Sequence, residues 1–149
     1  MQAPDSSNIA IGSPVYNTVS AVSVLTPASG YPFNGYVNFT NTLGGLQVHL
    51  HAENIPPNTQ KALHIHNLGD VSTPTASALS IHYNPDGNPH GCPALAPGSN
   101  TYTYSNQSHA GDFGNVQSDA NGVIDFTWVS PQVSIYSWNS LSSHSLMQT

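Results

Sequence analysis

The chain has 149 residues, which suits one domain with a core of its own. Charged side chains make up only 5% of the composition, and the formal net charge is −6, with Lys61 as the one basic residue and no arginine. Because binding to phosphates needs clustered Lys or Arg, this composition argues against nucleic acid and against an acidic membrane surface as partners. No apolar run approaches the roughly 20 residues that cross a bilayer.

Residues 1–16 are rich in Ser, Asn and Pro and predict an N-terminal arm, which leaves residues 17–149 as the folded domain. A lone cysteine, Cys92, excludes an intrachain disulfide. Residues 38–40 and 106–108 fit the N-glycosylation pattern, and with the low charge they favour an extracellular, secreted protein. The first residues lack the basic and apolar segments of a signal peptide.

Alternating apolar and polar residues predict short β-strands along the whole chain. In the first half the predicted strands are residues 21–25, 35–40, 46–52 and 62–66. In the second half they are residues 116–118, 123–128, 133–136 and 141–147, with a hairpin turn at 119–122. Since no helical period is present, the pattern predicts an all-β antiparallel sandwich or barrel.

Residues 67–115 are predicted to form a long loop, and metal-binding side chains concentrate in it and in the strand before it. His64 and His66 are two residues apart on that strand, so both point to one face and can hold one ion. The loop adds His82, His90, His109 and Asp112. Three imidazoles and a carboxylate suit tetrahedral zinc, and the alternative is that they are ordinary polar loop residues.

A second His-x-His pair, His49 and His51, lies within the alternating stretch 46–52. If the apolar residues of that stretch face the core, both histidines face outward. A surface metal site is one interpretation, and exposed polar strand residues are the favoured one. Residues 94–107, an inserted stretch of the long loop, carry no pattern to which we assign a function.

The histidine motifs resemble those of the copper/zinc superoxide dismutases. The family's His-x-His with a following Phe-Gly-Asp is similar to residues 64–70, His-Phe-Asn-Pro to residues 82–85, and His-Gly to residues 90–91. The most specific element, His-Val-Gly-Asp-Leu-Gly-Asn, is matched by residues 109–115. The similarity covers most of the chain.

This resemblance implies a Greek-key β-barrel of the immunoglobulin-like type with a long metal-binding loop. It also implies that His64 and His66 bind copper, and that His82 bridges copper and zinc. The remaining zinc ligands would be His90, His109 and Asp112. The catalytic residues would be His64, His66 and His82, which would convert superoxide to O₂ and hydrogen peroxide.

Departures from the family pattern predict weak or lost dismutase activity. The family's fourth copper histidine falls at Thr149 in an ungapped register and at His144 in a shorter-loop register. The family's active-site arginine and electrostatic loop are missing, so little positive field attracts an anion. We therefore predict an intact zinc site and an incomplete copper site. The alternative is a working dismutase with three copper histidines.

The family's last strand is also missing, which predicts an exposed edge of the barrel. Residues 8–16 could fill this edge within the molecule or by exchange with a neighbouring chain. Exchange of the arm, or direct contact between two edges, would produce a homodimer.

Overall fold

The structure, a computed structural model, describes residues 20–27, 32–68, 80–95, 98–103, 106–135 and, by backbone alone, 145–148. These residues form seven strands: β1 Ser20–Leu25, β2 Asn34–Thr42, β3 Gly45–Glu53, β4 Gln60–His66, β5 Asp112–Gln117, β6 Ile124–Ser130 and β7 Ser145–Gln148. The all-β prediction is confirmed. None of the described residues forms a helix long and apolar enough to cross a membrane.

The strands form two antiparallel sheets with the orders β1-β2-β3-β6 and β5-β4-β7. After β3 the chain crosses to the second sheet for β4 and β5, and it then returns to the first sheet as β6 beside β3. This return across the sandwich is a Greek-key connection. It leaves β4 between β5 and β7, so β4 is the central strand of the smaller sheet.

The core lies between the sheets because strand alternation directs apolar side chains of both sheets inward. Buried residues of β3 and β4 are Leu46, Val48, Leu50, Leu63 and Ile65. Trp128 of β6 packs edge-on against Phe113 of β5, with ring centroids 5.8 Å apart, and so joins the two sheets. The opposite faces carry His49 and His51 on β3, whose predicted outward orientation is confirmed, and the histidines of β4.

A β-bulge shifts the register between β4 and β5. Ala62 pairs with Asn115 and His64 pairs with Asp112, so β5 uses three residues where β4 uses two. Gly114 lies in this stretch with φ of +78°, a conformation that glycine adopts without the steric cost of a Cβ. Gly114 therefore allows the bulge to form at this position.

This bulge determines the direction of Asp112. Phe113 and Val116 are both buried in the core, although residues three apart face opposite sides of a regular strand. The extra residue removes that conflict and leaves Asp112 on the histidine-bearing side of the sheet. We predicted Asp112 in a loop and the strand from residue 116, but Asp112 is the first residue of β5.

The predicted strand at residues 133–136 is wrong where the structure describes it. Val133 and Ile135 are buried but belong to an irregular segment, and the N–H of Ile135 donates to Oδ1 of Asn41 at 3.1 Å. The apolar alternation there reflects core packing beside a single β-bridge residue, Ser134, and not an extended strand. Residues 1–16 and both candidates for the fourth copper ligand, His144 and Thr149, lie outside the described residues.

Candidate metal centre

His64 and His66 point away from the core on the central strand of the smaller sheet. Nδ1 of His66 lies 2.9 Å from the backbone oxygen of Ser80, so a proton on Nδ1 would be donated there and Nε2 remains as the ligand atom. Nδ1 of His64 is buried and has no hydrogen-bond partner within the described ranges. The strand thus presents two differently oriented imidazoles to one side.

The backbone of Ile65 attaches two loop segments to this strand. Its N–H donates to the oxygen of Gly111 at 2.8 Å, and its oxygen accepts from the N–H of Tyr83 at 2.7 Å. The N–H of Gly111 also donates to the oxygen of Tyr83 at 2.9 Å, which closes a triangle. His82 immediately precedes Tyr83 and Asp112 immediately follows Gly111, so the triangle positions both relative to β4.

Two glycines make this close packing feasible. A Cβ on Gly111 would lie 2.6 Å from the oxygen of Ile65 and 3.0 Å from Cβ of Tyr83. A Cβ on Gly91 would lie 2.0 Å from the oxygen of Gln107. Backbone atoms cannot move aside as a side chain can, so larger residues at either position would displace the segments that carry the histidines.

Three histidines of the loop converge on the buried carboxylate of Asp112. Nδ1 of His82 lies 2.8 Å from Oδ1, while Nδ1 of His90 and Nδ1 of His109 lie 3.0 and 3.6 Å from Oδ2. One ligand atom from each of the four residues can be chosen so that all lie within 4.8 Å of one another. The group has the composition of a four-coordinate zinc site.

The carboxylate of Asp112 is held in its ionised form. Burial raises its pKa, but the hydrogen bonds to the carboxylate outweigh burial and leave the pKa below its usual value. Oδ2 accepts from the N–H of Gly91 at 3.2 Å and from the N–H of His109 at 3.0 Å. Since these donors are backbone groups, they orient the carboxylate independently of the imidazole rings.

His82 belongs to a second group, with His64 and His66, whose ligand atoms also lie within 4.8 Å of one another. A backbone bridge pairs His82 with His66, and the rings of His82 and His64 stack with centroids 4.1 Å apart. An imidazole has two nitrogens on opposite sides of the ring. With Nδ1 directed to Asp112, Nε2 of His82 is available to the second group.

The donor sets fit zinc and copper, the two metals that the family resemblance implies. Nδ1 of His64 and Nδ1 of His109 are buried without a hydrogen-bond partner in the described part of the chain, and an ion would supply one. Burial lowers the pKa of His109, and burial with the nearby charge of His82 lowers the pKa of His64 to about 4. Both rings are therefore neutral at pH 7 with a free lone pair, as metal ligation requires.

All six residues that the sequence indicated as ligands lie in these two overlapping groups, and their role as ligands stays a prediction. Sequence reasoning missed the backbone atoms of Ser80 and Ile65, because backbone contacts leave no signal in residue type.

The insertion contributes Tyr102 to the core, where it packs against Trp128 and where burial raises its pKa to about 12. Cys92 is exposed and belongs to neither group.

Comparison with known proteins identifies the family. Residues 33–147 match the family model described as copper/zinc superoxide dismutase. The chain belongs to this family. It is 32% identical over 101 residues to superoxide dismutase (Cu-Zn) 2 of Aquifex aeolicus, an alignment that covers 68% of this chain and 53% of that protein.

Other members of the family align over more of the chain. The superoxide dismutase (Cu-Zn) of Paramecium bursaria Chlorella virus 1 is 28% identical over 81% of this chain and 57% of its own length. That of Schizosaccharomyces pombe is 30% identical over 87% of this chain and 77% of its own length. The chain thus spans little more than half of the Aquifex and viral proteins.

Solved structures share the fold. The crystal structure of the clock protein EA4 has a TM-score of 0.72 and 23% identity, over 89% of this chain and 75% of that chain. A double mutant of a SOD-like protein from Bacillus subtilis has a TM-score of 0.63 and 22% identity, over 76% and 72%. At these identities the likeness concerns the fold alone.

Proposed function

We propose that the chain is a superoxide dismutase-like metal-binding domain whose zinc ligands are His82, His90, His109 and Asp112. The convergence of three Nδ1 atoms on one buried carboxylate, at 2.8, 3.0 and 3.6 Å, carries the proposal. Ligands at about 2.0–2.2 Å from a tetrahedral ion are roughly 3.3 Å apart. An ion could therefore enter this group with small side-chain movements.

His64, His66 and His82 would hold copper, which when bound supplies one-electron redox chemistry toward superoxide. The backbone oxygen of Ser80 keeps Nδ1 of His66 occupied and its Nε2 free. Asp112 holds the other side of the His82 ring, so Nε2 of His82 can carry or release a proton while the ring keeps its orientation. These contacts support a shared imidazole between the two groups.

We propose that the dismutase activity of this chain is weak. Superoxide is an anion, and the chain has a net charge of −6, no arginine and one lysine. Lys61 lies on β4, five residues before His66. Without clustered positive charge near the histidines, the chain provides little electrostatic attraction to raise the rate of encounter with an anion.

A working dismutase with a three-histidine copper site is the second candidate. It is favoured by the clustering of His64, His66 and His82, whose ligand atoms lie within 4.8 Å of one another, and by the pKa of His64 of about 4, which leaves its ring neutral at pH 7. Little reorganisation would then be needed to bind copper. The two candidates for a fourth ligand, His144 and Thr149, lie outside the described residues.

Metal loading of matched variants tests the assignment. Apo-protein receives one equivalent of Zn²⁺ and then one of Cu²⁺, and both metals are counted per chain by elemental analysis. His90→Gln should lose zinc, whereas His66→Gln should retain zinc and lose copper. Gln47→Ala on the other sheet is the control and should retain both. Zinc binding by His90→Gln with undiminished affinity would refute the zinc assignment.

Superoxide consumption by the same samples separates the two candidates. We expect the sample loaded with both metals to exceed a zinc-only sample slightly, and His66→Gln to remove the excess. A rate equal to that of the zinc-only sample would dispose of the working dismutase. A rate limited by diffusion would contradict the proposal of weak activity.

A homodimer is the assembly we propose. Among the described strands, β1 pairs on one side only and carries the exposed apolar side chains Val22 and Val24. An edge strand with exposed apolar residues is suited to pairing with another chain. Sedimentation equilibrium of the full chain should show a dimer, and Val24→Lys should shift it toward the monomer. A monomer at all concentrations would refute this assembly.

A further inference from the structure

A second group of histidines and carboxylates lies on the outer face of the four-stranded sheet. His49, His51 and Glu53 alternate on β3, and Asp125 of β6 pairs directly with His51; we call these four residues the outer cluster. Nε2 of His49 lies 3.0 Å from Oδ1 of Asp125, and Nδ1 of His51 lies 3.1 Å from Oδ2. Nε2 of His51 lies 3.2 Å from Oε1 of Glu53.

His51 therefore has a carboxylate at each of its two ring nitrogens. A neutral imidazole carries one proton, so it can donate to one carboxylate and must present a lone pair to the other. Two arrangements remove this repulsion between lone pairs: a second proton on the ring, or a cation between Nδ1 and Asp125. Hydrogen bonding to Asp125 and to Glu53 raises the pKa of His51 and so favours the first arrangement, in which the ring carries a second proton.

The charge of the chain favours a cation at this position. The outer cluster contains two carboxylates, Glu53 and Asp125, and the single lysine or arginine of the chain, Lys61, is on β4 of the other sheet. The two negative charges are thus balanced by protons on the histidines or by a bound ion. Imidazole nitrogen with carboxylate oxygen is the donor combination of Zn²⁺ and Cu²⁺.

We propose that His49, His51 and Asp125 form a second site for a divalent transition-metal ion on this face. Nε2 of His49 and Nδ1 of His51 lie 3.0 and 3.1 Å from two different oxygens of Asp125, close to the roughly 3.3 Å between neighbouring ligands of a tetrahedral ion. The ligand atoms of these three residues are not all within 4.8 Å of one another, as those of the metal centre are, so the two imidazoles would move closer together on binding an ion. Glu53 accepts a hydrogen bond from Nε2 of His51 and so favours the tautomer whose Nδ1 can bind the ion. Carboxylates commonly orient metal-binding histidines in this way.

Tyr36 of β2 packs against both imidazoles. Its ring stacks on His51 with centroids 5.4 Å apart, and its edge contacts the ring of His49 at 5.9 Å. Both histidines are partly exposed, at 29% and 26% of their side-chain surface, so water can complete the coordination shell. The site is open to solvent and its residues are separate from those of the metal centre, so it does not depend on the proposed function.

Zinc titration of the full chain, with the metal centre already loaded, tests the proposal. The ring signals of His49 and His51 are followed by NMR as more Zn²⁺ is added, and the heat of binding is measured in parallel. We expect both rings to respond with one common saturation curve. His49→Gln and Asp125→Asn should each weaken this event by more than about tenfold, and Glu53→Gln by about tenfold.

Gln47→Ala is the matched control, because Gln47 lies on the same face of β3, two residues before His49 and outside the outer cluster. It should leave the second event unchanged. If the ring signals of His49 and His51 stay in place at millimolar zinc, the proposal is refuted. Because this measurement uses the unaltered chain, a variant that fails to fold does not remove the test. Undiminished binding by folded Asp125→Asn would also refute it.

Discussion

The metal centre and the outer cluster use the same side-chain chemistry in opposite surroundings. Asp112 has 2% of its side-chain surface exposed and Asp125 has 62%. Asp112 accepts two backbone N–H hydrogen bonds in addition to its histidine contacts. Asp125 is held by His49 and His51, the residues with which it would bind the ion.

This difference shows what a buried scaffold adds to a set of ligands. Backbone donors and the triangle around Ile65 hold the metal centre in place before an ion arrives, so binding needs little rearrangement. Exclusion of water also strengthens electrostatic attraction. We therefore expect zinc to fill the metal centre first and the outer cluster at higher concentration.

Replacing each carboxylate gives the largest expected difference between the two sites. Asp112→Asn should weaken zinc binding at the metal centre by more than about 100-fold, or about 3 kcal/mol, because three histidines lose their shared anionic ligand. Calorimetric titration with one equivalent of Zn²⁺ measures the effect. Asp125→Asn serves as the control and should leave the first equivalent unaffected. Equal losses in the two variants would contradict the distinction between the sites.

A substitution that disturbs the scaffold without changing a ligand should impair zinc binding at the metal centre and leave the outer cluster unaffected. Gly111→Ala places a Cβ against the oxygen of Ile65, and overpacking of this kind costs about 1–3 kcal/mol. Denaturant unfolding of the apo-protein measures the loss of stability, and zinc content should fall with it. Gly44→Ala is the control, since its nearest neighbours would lie 3.9 Å away. Normal stability and zinc content in Gly111→Ala would show that the triangle does not position the ligands.

The smallest expected effect is the pH response of the outer cluster without metal. The pKa of His51 lies above 6.5 in the folded chain, raised by Asp125 and then Glu53. The stabilisation from this ion pairing is complete below 6.5 and is lost as pH rises through the raised value. Asp125→Asn should bring the pKa of His51 closer to 6.5, which an NMR titration of the ring detects. An unaltered titration would mean that Asp125 does not control His51.

The metal centre was largely predictable because its signals are local. The period of two along β4 places His64 and His66 on one face, and each loop histidine stands in a motif that resembles a known family. The part that could not be predicted is the scaffold. Neither the contacts of Ile65 nor the β-bulge at Gly114 follows from residue type, because both depend on which backbone segments pair.

The outer cluster shows the same limit more clearly. Alternation along β3 was enough to predict that His49 and His51 face outward, yet their interpretation as plain exposed residues left out Asp125. Asp125 and His51 are 74 residues apart in the chain. Their contact requires β6 to return beside β3, so no local pattern could have indicated it.

The sequence by itself determined the strand faces, the buried side of each sheet and the ligand-type residues, because strand alternation and short motifs act between near neighbours. Tertiary structure alone decided which carboxylate meets which histidine. It turned Asp112 toward the loop histidines through a one-residue register shift, and it placed Asp125 opposite His51 through Greek-key pairing. Register and strand pairing depend on how both sheets pack together, so they cannot be deduced from any single segment.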